Sequence, residues 1–138
     1  MTQIGQTAHE AALIRAFVVP GKRERVVELL SKAKRRQDVL RGLAHFRDLD
    51  PRFQVEISPA AQTASAIEQL LRKRGAPSEC YLISEDASLD GRVLLLTEAL
   101  GAIVARGMGT LLSCIPGRLA YYEGENQRDR WLLERKAA

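Results

Sequence analysis

Histidine, cysteine and tryptophan are scarce in this chain, with two His, two Cys and one Trp among 138 residues. That scarcity removes several chemistries at once. His9, His45, Cys80 and Cys114 do not stand at the spacings that hold zinc. No G-x-S-x-G sequence marks a nucleophile elbow, and Ser113 and Cys114 have no cue to a partner His. The glycines of Gly107-Met108-Gly109-Thr110 follow a helical pattern instead of leading into one, which is the wrong direction for a phosphate cradle. Helix termination followed by close backbone packing explains them better. No cofactor fingerprint is present, so neither a cofactor nor a metal is expected. No apolar run approaches the roughly 20 residues that span a bilayer. The opening MTQIGQTAHE lacks the basic and apolar regions of a secretory signal, which makes the cytoplasm the expected location and a membrane partner unexpected. Cys80 and Cys114 lie in apolar runs and read as buried thiols.

What the chain does have is an uneven distribution of charge. Residues 15 to 52 carry eleven Arg or Lys against five Asp or Glu, whereas the remaining hundred carry ten against twelve. Hydrophobic content of 46% and charged content of 28% are ordinary for a globular domain and argue against wholesale disorder. The length suits one domain, 1–138, with 1–12 as a loose lead-in.

The periodicities give an element order. Ala12 to Val19 is apolar except for Arg15 and reads as a short strand or a helical turn. Residues 22–46 read as helix, or as two helices broken near Ser31, with Val26, Leu30, Ala33, Leu40 and Ala44 on one stripe. Phe53, Val55 and Ile57 alternate with polar residues as in a strand. Ser58-Pro59 carries the signature of a helix start, and Gly75 with Pro77 closes that helix. A strand follows over 79–84, then a turn at Asp90-Gly91, an extended run 92–96 and a helix from Thr97 to Arg106. Strands over 110–115, 118–123 and 130–134 end the chain, the first two joined by a type II turn at Pro116-Gly117. The class is therefore α/β or α+β. The expected form is a mixed β-sheet with packed helices, a helical N-terminal region and a C-terminal antiparallel meander.

Two sites follow from charge. Lys22, Arg23, Arg25, Lys34, Arg35 and Arg36 form a basic set suited to phosphates or an acidic protein, with nucleic acid as one candidate partner. They flank the apolar stripe on both sides, however, and long basic side chains often lie over such a seam with no ligand. Reversing Arg35 and Arg36 is expected to abolish anion binding with little effect on stability. The alternative site is Glu85, Asp86 and Asp90, carboxylates just beyond a strand end that suit a hard cation or acid–base work. Their competing explanation is a solvated turn. Tyr121 and Tyr122 must face opposite sides of a strand, one expected in the core and one exposed, and with Trp131 they suit a core or a subunit contact.

The sequence thus reads as a small cytoplasmic binding or interaction protein. It is expected to act as a homo-oligomer or with a protein partner, docking an anionic partner through the basic helices. The alternative is a small-ligand or metal-dependent enzyme at the acidic loop 85–90.

Overall fold

The structure, a computed structural model, describes residues 2–136. Among them run five α-helices and six strands: α1 (Thr2–Phe17), α2 (Arg23–Ser31), α3 (Ala33–Arg41), β1 (Gln54–Glu56), α4 (Ala64–Lys73), β2 (Glu79–Ser84), β3 (Val93–Leu95), α5 (Leu96–Ile103), β4 (Thr110–Ile115), β5 (Leu119–Glu123) and β6 (Arg130–Glu134). The strands form one sheet in the order β1-β6-β5-β4-β2-β3. The fold is mixed α and β, as the pattern predicts, and β4, β5 and β6 form the expected meander. Every pairing in the sheet is antiparallel. The connections explain this direction, because no helix serves as a right-handed crossover between two neighbouring parallel strands.

Helices cover both faces of the sheet. On one face Leu13, Ile14 and Phe17 of α1, Val26 and Leu30 of α2 and Leu40 of α3 pack on Tyr81, Ile83, Leu111, Tyr122 and Leu133. On the other, Ile67 and Leu71 of α4 and Leu96, Leu100 and Ile103 of α5 pack on Leu82, Leu112, Tyr121 and Leu132. Two covered faces are why β2, β4 and β5 read as continuous apolar runs with no alternation. They also correct the expectation for the tyrosines: Tyr121 and Tyr122 do face opposite sides, and both are buried.

Several local expectations change. Of the segment read as a loose lead-in, residues 2–12 belong to α1, and Ala12–Phe17 is the end of that helix, with Val18 making a single bridge to Leu49. The lead-in carries no sequence signal for a helix start, and its helical state follows from packing its far end on the sheet. The break near Ser31 is real: Lys32 is extended (φ −111°, ψ 124°) between α2 and α3. Ala33, placed on the apolar stripe, is exposed, because the break resets the helical phase. Ser58-Pro59 opens only a 3-10 turn, and Ser58 makes no capping bond. The cap of α4 is Thr63, whose hydroxyl accepts from the amide of Ala66 at 3.1 Å. Similarly Thr97 does not cap α5. Its hydroxyl donates to Glu68 at 2.8 Å, and the helix ends at Ile103. The Pro116-Gly117 turn forms as expected, with Gly117 at φ 73° and Arg118 N donating to Ile115 O at 2.9 Å.

Among the described residues no helix is long and apolar enough to cross a membrane.

Candidate functional site

The basic set does not stay together. Arg36, on α3, turns inward and is held from two directions. Its Nε and Nη2 donate to Asp90 at 2.8 and 2.9 Å, and its Nη1 donates to Glu10 at 2.9 Å. Burial opposes the charge on this guanidinium, but the bonds to Asp90 and Glu10 carry its pKa above the ordinary value. Arg23 is also drawn in: its Nε donates to Val18 O at 2.6 Å and its Nη2 lies 3.6 Å from Asp50. Lys22 meets Asp48 at 3.1 Å on the surface. Of these six basic residues, only Arg25, Lys34 and Arg35 are exposed with no side-chain partner among the described residues.

The acidic set is equally committed. Asp90 takes Arg36 and also the Ser84 amide at 3.0 Å. The carboxylate of Asp86 accepts from Ser88 N and Oγ at 2.9 and 2.7 Å, a local turn whose bonds hold its pKa below the ordinary carboxylate value. Glu85 accepts from the Gly109 amide. Each carboxylate therefore fixes a different piece of backbone. Among the described residues no three His, Cys, Asp or Glu side chains converge as a metal site would need. The first set and the second set meet in one contact, Arg36 on Asp90.

Other clusters are invisible in the sequence. His9 Nδ1 lies 2.7 Å from Ser113 Oγ, and its ring stacks on Tyr81 at 5.7 Å, while the Tyr81 hydroxyl donates to Glu10. A Ser–His pair invites comparison with a nucleophile and its base, but Ser113 is fully buried and Glu10 is turned to Tyr81 and Arg36. The pair pins α1 to the sheet. Glu123, also fully buried, accepts from the Tyr121 hydroxyl at 2.5 Å and from Gly107 N at 3.1 Å, and faces Arg130 at 3.3 Å. Arg130 continues to Gln62 at 3.2 Å. Burial pushes the Tyr121 phenol up, and Glu123 adds to the shift. No sequence signal finds the long-range partners, because Gly107–Glu123, Gln62–Arg130 and His9–Ser113 are 16, 68 and 104 residues apart in the chain.

Two concavities flank Phe46. One, of about 360 Å³, lies along α2 and α3 with Val26, Leu29, Val39 and Phe46 as its apolar floor. Lys22, Arg25, Asp38 and Asp48 stand on its rim. Lys22–Asp48 and Asp38–Arg41 (3.8 Å) cancel in pairs, which leaves Arg25 as the uncompensated charge. The other, of about 410 Å³, lies between the turn 43–47 and the β1–β6 edge, and polar and aromatic groups line it. His45 meets Glu125 at 3.2 Å beside this second cleft.

The thiols of Cys80 and Cys114 are free and buried, and burial pushes Cys80 up to about 12 and Cys114 further. They are inert where they stand. Searches among protein families, curated proteins and solved structures find no match to this chain.

Proposed function

We propose that the protein is a small cytoplasmic interaction module that docks an acidic, apolar-faced segment of a partner protein on the α2–α3 hairpin. The observation that carries this reading is the apolar groove of Val26, Leu29, Val39 and Phe46 with Arg25 uncompensated at its rim. An amphipathic helix presents such a groove with apolar side chains at i, i+3, i+4 and i+7. Acidic residues beside those anchors meet Arg25, with Lys34 and Arg35 on the same hairpin adding long-range attraction that steers encounter. Nucleic acid has less support, since Arg36 and Arg23 are withdrawn into the fold and phosphate affinity scales with the number of free cations. The enzyme reading at Glu85, Asp86 and Asp90 has less support still, because each carboxylate already holds part of the fold.

The test is selection from a library of displayed peptides that carry Leu at helical spacing with Glu between, followed by fluorescence anisotropy of the enriched peptides. Saturable binding that weakens with salt and is lost in Arg25→Glu and in Leu29→Asp supports the reading. Enriched peptides that bind Arg25→Glu and Leu29→Asp as well as the native protein contradict it. Single- and double-stranded DNA and RNA enter the same assay as competitors.

A second reading, assembly with another copy, has one observation in its favour. The last strand, β6, lies between β1 and β5 and so has no free edge. The free edge at the other end is β3, where Val93 and Leu95 are 40% and 49% exposed. Light scattering that gives the 15.3 kDa monomer at all concentrations would count against it.

A further inference from the structure

The second cleft is built differently from the first. Its back wall is Tyr122, whose hydroxyl donates to Leu43 O at 2.6 Å and accepts from the Phe46 amide at 3.2 Å. Those two bonds fix the turn that presents His45, Phe46 and Arg47. The loop after β5 is tied to the same turn, with Glu125 N donating to Ala44 O at 3.1 Å and Glu125 meeting His45. The loop closes on itself through Gly124 N to Asp129 O at 2.8 Å. A Cβ at Gly124 would stand 2.6 Å from that of Asp129, so only glycine allows the closure. The result brings Asp129 into the lining of the cleft, together with Arg47, Gln54 and Trp131.

These four side chains have no hydrogen-bond partner among the described residues. The informative contrast is with the polar side chains that the fold encloses. Glu10, Arg36, Asp50, Asp90, Gln62 and Glu123 are all paired inside the fold. Around this concavity a guanidinium, an amide, a carboxylate and an indole N–H are left uncommitted beside two aromatic faces, Phe46 and Trp131. A concave, partly apolar site with a few convergent polar groups is the usual form of a small-ligand pocket, and about 410 Å³ lies within the usual range of roughly 300–1,000 Å³.

We infer that this cleft binds a mononucleotide. The base stacks on Trp131, the phosphate is taken by the Arg47 guanidinium, and sugar or base donors are accepted by Asp129. Stacking on an aromatic face tolerates any base. Arginine matches a phosphate with two parallel bonds. Asp129 sits where an all-anion ligand would be repelled, so the ligand must also offer donors, as a ribose or an exocyclic amine does. Gln54, with both a donor and an acceptor, completes the edge readout.

Trp131 is the sole tryptophan, so intrinsic fluorescence excited at the red edge of the indole band reports on this cleft alone. The experiment titrates the full chain with AMP, GMP, CMP and UMP, with the corresponding nucleosides and with inorganic phosphate. Saturable quenching by nucleotides is expected. Arg47→Ala should weaken it by roughly tenfold, the loss of one charge-assisted pair. Arg47 is exposed and unpartnered, so this variant should melt with the native protein, which separates a binding defect from a folding one. Nucleosides that bind as well as nucleotides, or Arg47→Ala that binds unchanged, would overturn the assignment. So would the absence of saturable quenching up to about 1 mM nucleotide, the weak end of specific small-ligand affinity.

Discussion

Arg36 and Asp90, 54 residues apart, form a bidentate pair, with Nε and Nη2 of the guanidinium on Oδ2 and Oδ1 of the carboxylate at 2.8 and 2.9 Å. The same guanidinium reaches Glu10, so one side chain of α3 joins α1 to the turn between β2 and β3. All three side chains are less than one-fifth exposed. Removing the arginine leaves two largely buried carboxylates with no countercharge. Arg36→Ala should therefore cost about 3 kcal/mol, the usual result of breaking one partner out of a buried pair. Its neighbour Arg35 is solvated, and Arg35→Ala should stay within about 0.5 kcal/mol. Urea denaturation of the two variants checks this, and equal midpoints would contradict it. The contrast also corrects the expectation that reversing both arginines leaves stability unchanged.

A second expected outcome concerns acid. Hydrogen bonds from Arg52 hold the Asp50 carboxyl below its ordinary 3.8, although burial pushes the other way. A depressed carboxylate contributes stability that is complete above 3.8 and is lost as pH falls through the folded value. Burial lowers His9 from its ordinary 6.5, so the unfolded chain takes up that proton first. His9 therefore contributes stability that is complete above 6.5 and begins to be lost below it. The urea midpoint should be level above about pH 7. It should decline gently below 6.5 and steeply below 4. His9→Gln should remove the gentle phase and leave the steep one. A midpoint that rises between pH 6.5 and 5 would contradict the assignment.

The cysteines give a third. Cys80 and Cys114 sit one step along the β2–β4 ladder from the Tyr81–Ser113 pair, in the core beneath α4 and α5. With Cys80 pushed up to about 12, little thiolate exists at neutral pH. A disulfide-exchange reagent should leave both thiols untouched in the native protein and titrate two per chain in denaturant. Rapid reaction of either thiol in the native state would mean that this core opens readily.

Gly109 gives the fourth. A Cβ there would stand 2.2 Å from Ala44 N and 2.3 Å from Leu43 C, so the chain entering β4 passes directly over the 43–45 turn. Both partners are backbone and cannot step aside. Gly109→Ala should cost about 3 kcal/mol, at the upper end for overpacking, because the turn that carries Phe46 must move. Thermal denaturation of Gly109→Ala measures it. A melting temperature within a degree or so of the native value would show that the turn yields easily.

These residues also show what could be read from the chain. The role of Gly109 was legible, because two glycines after a helix and before a strand point to termination and close approach and not to a phosphate loop. The strands β2, β4, β5 and β6 were legible from apolar runs, and a break near Ser31 was one of two readings of the helical pattern over 22–46, one residue from the extended Lys32. The helical state of the lead-in was not, since nothing in MTQIGQTAHE marks a start and the packing of its far end decides it. The site residues were the least legible. Local spacing shows that Arg36 is basic and that Asp90 adjoins a turn, but their mutual neutralisation depends on the way α3 packs beside the β2–β3 turn. Trp131, Asp129 and Arg47 carried no motif at all. Their juxtaposition comes from the loop 124–129 folding onto the 43–45 turn.

The docking proposal has its most direct test in a map of backbone amide shifts during titration with an acidic amphipathic peptide from the selection. The account predicts shifts concentrated on Lys22–Leu30 and Asp38–Phe46, with Glu85, Asp86 and Asp90 unmoved. Shifts centred on β3 or on the 85–90 turn, with α2 and α3 silent, would contradict it.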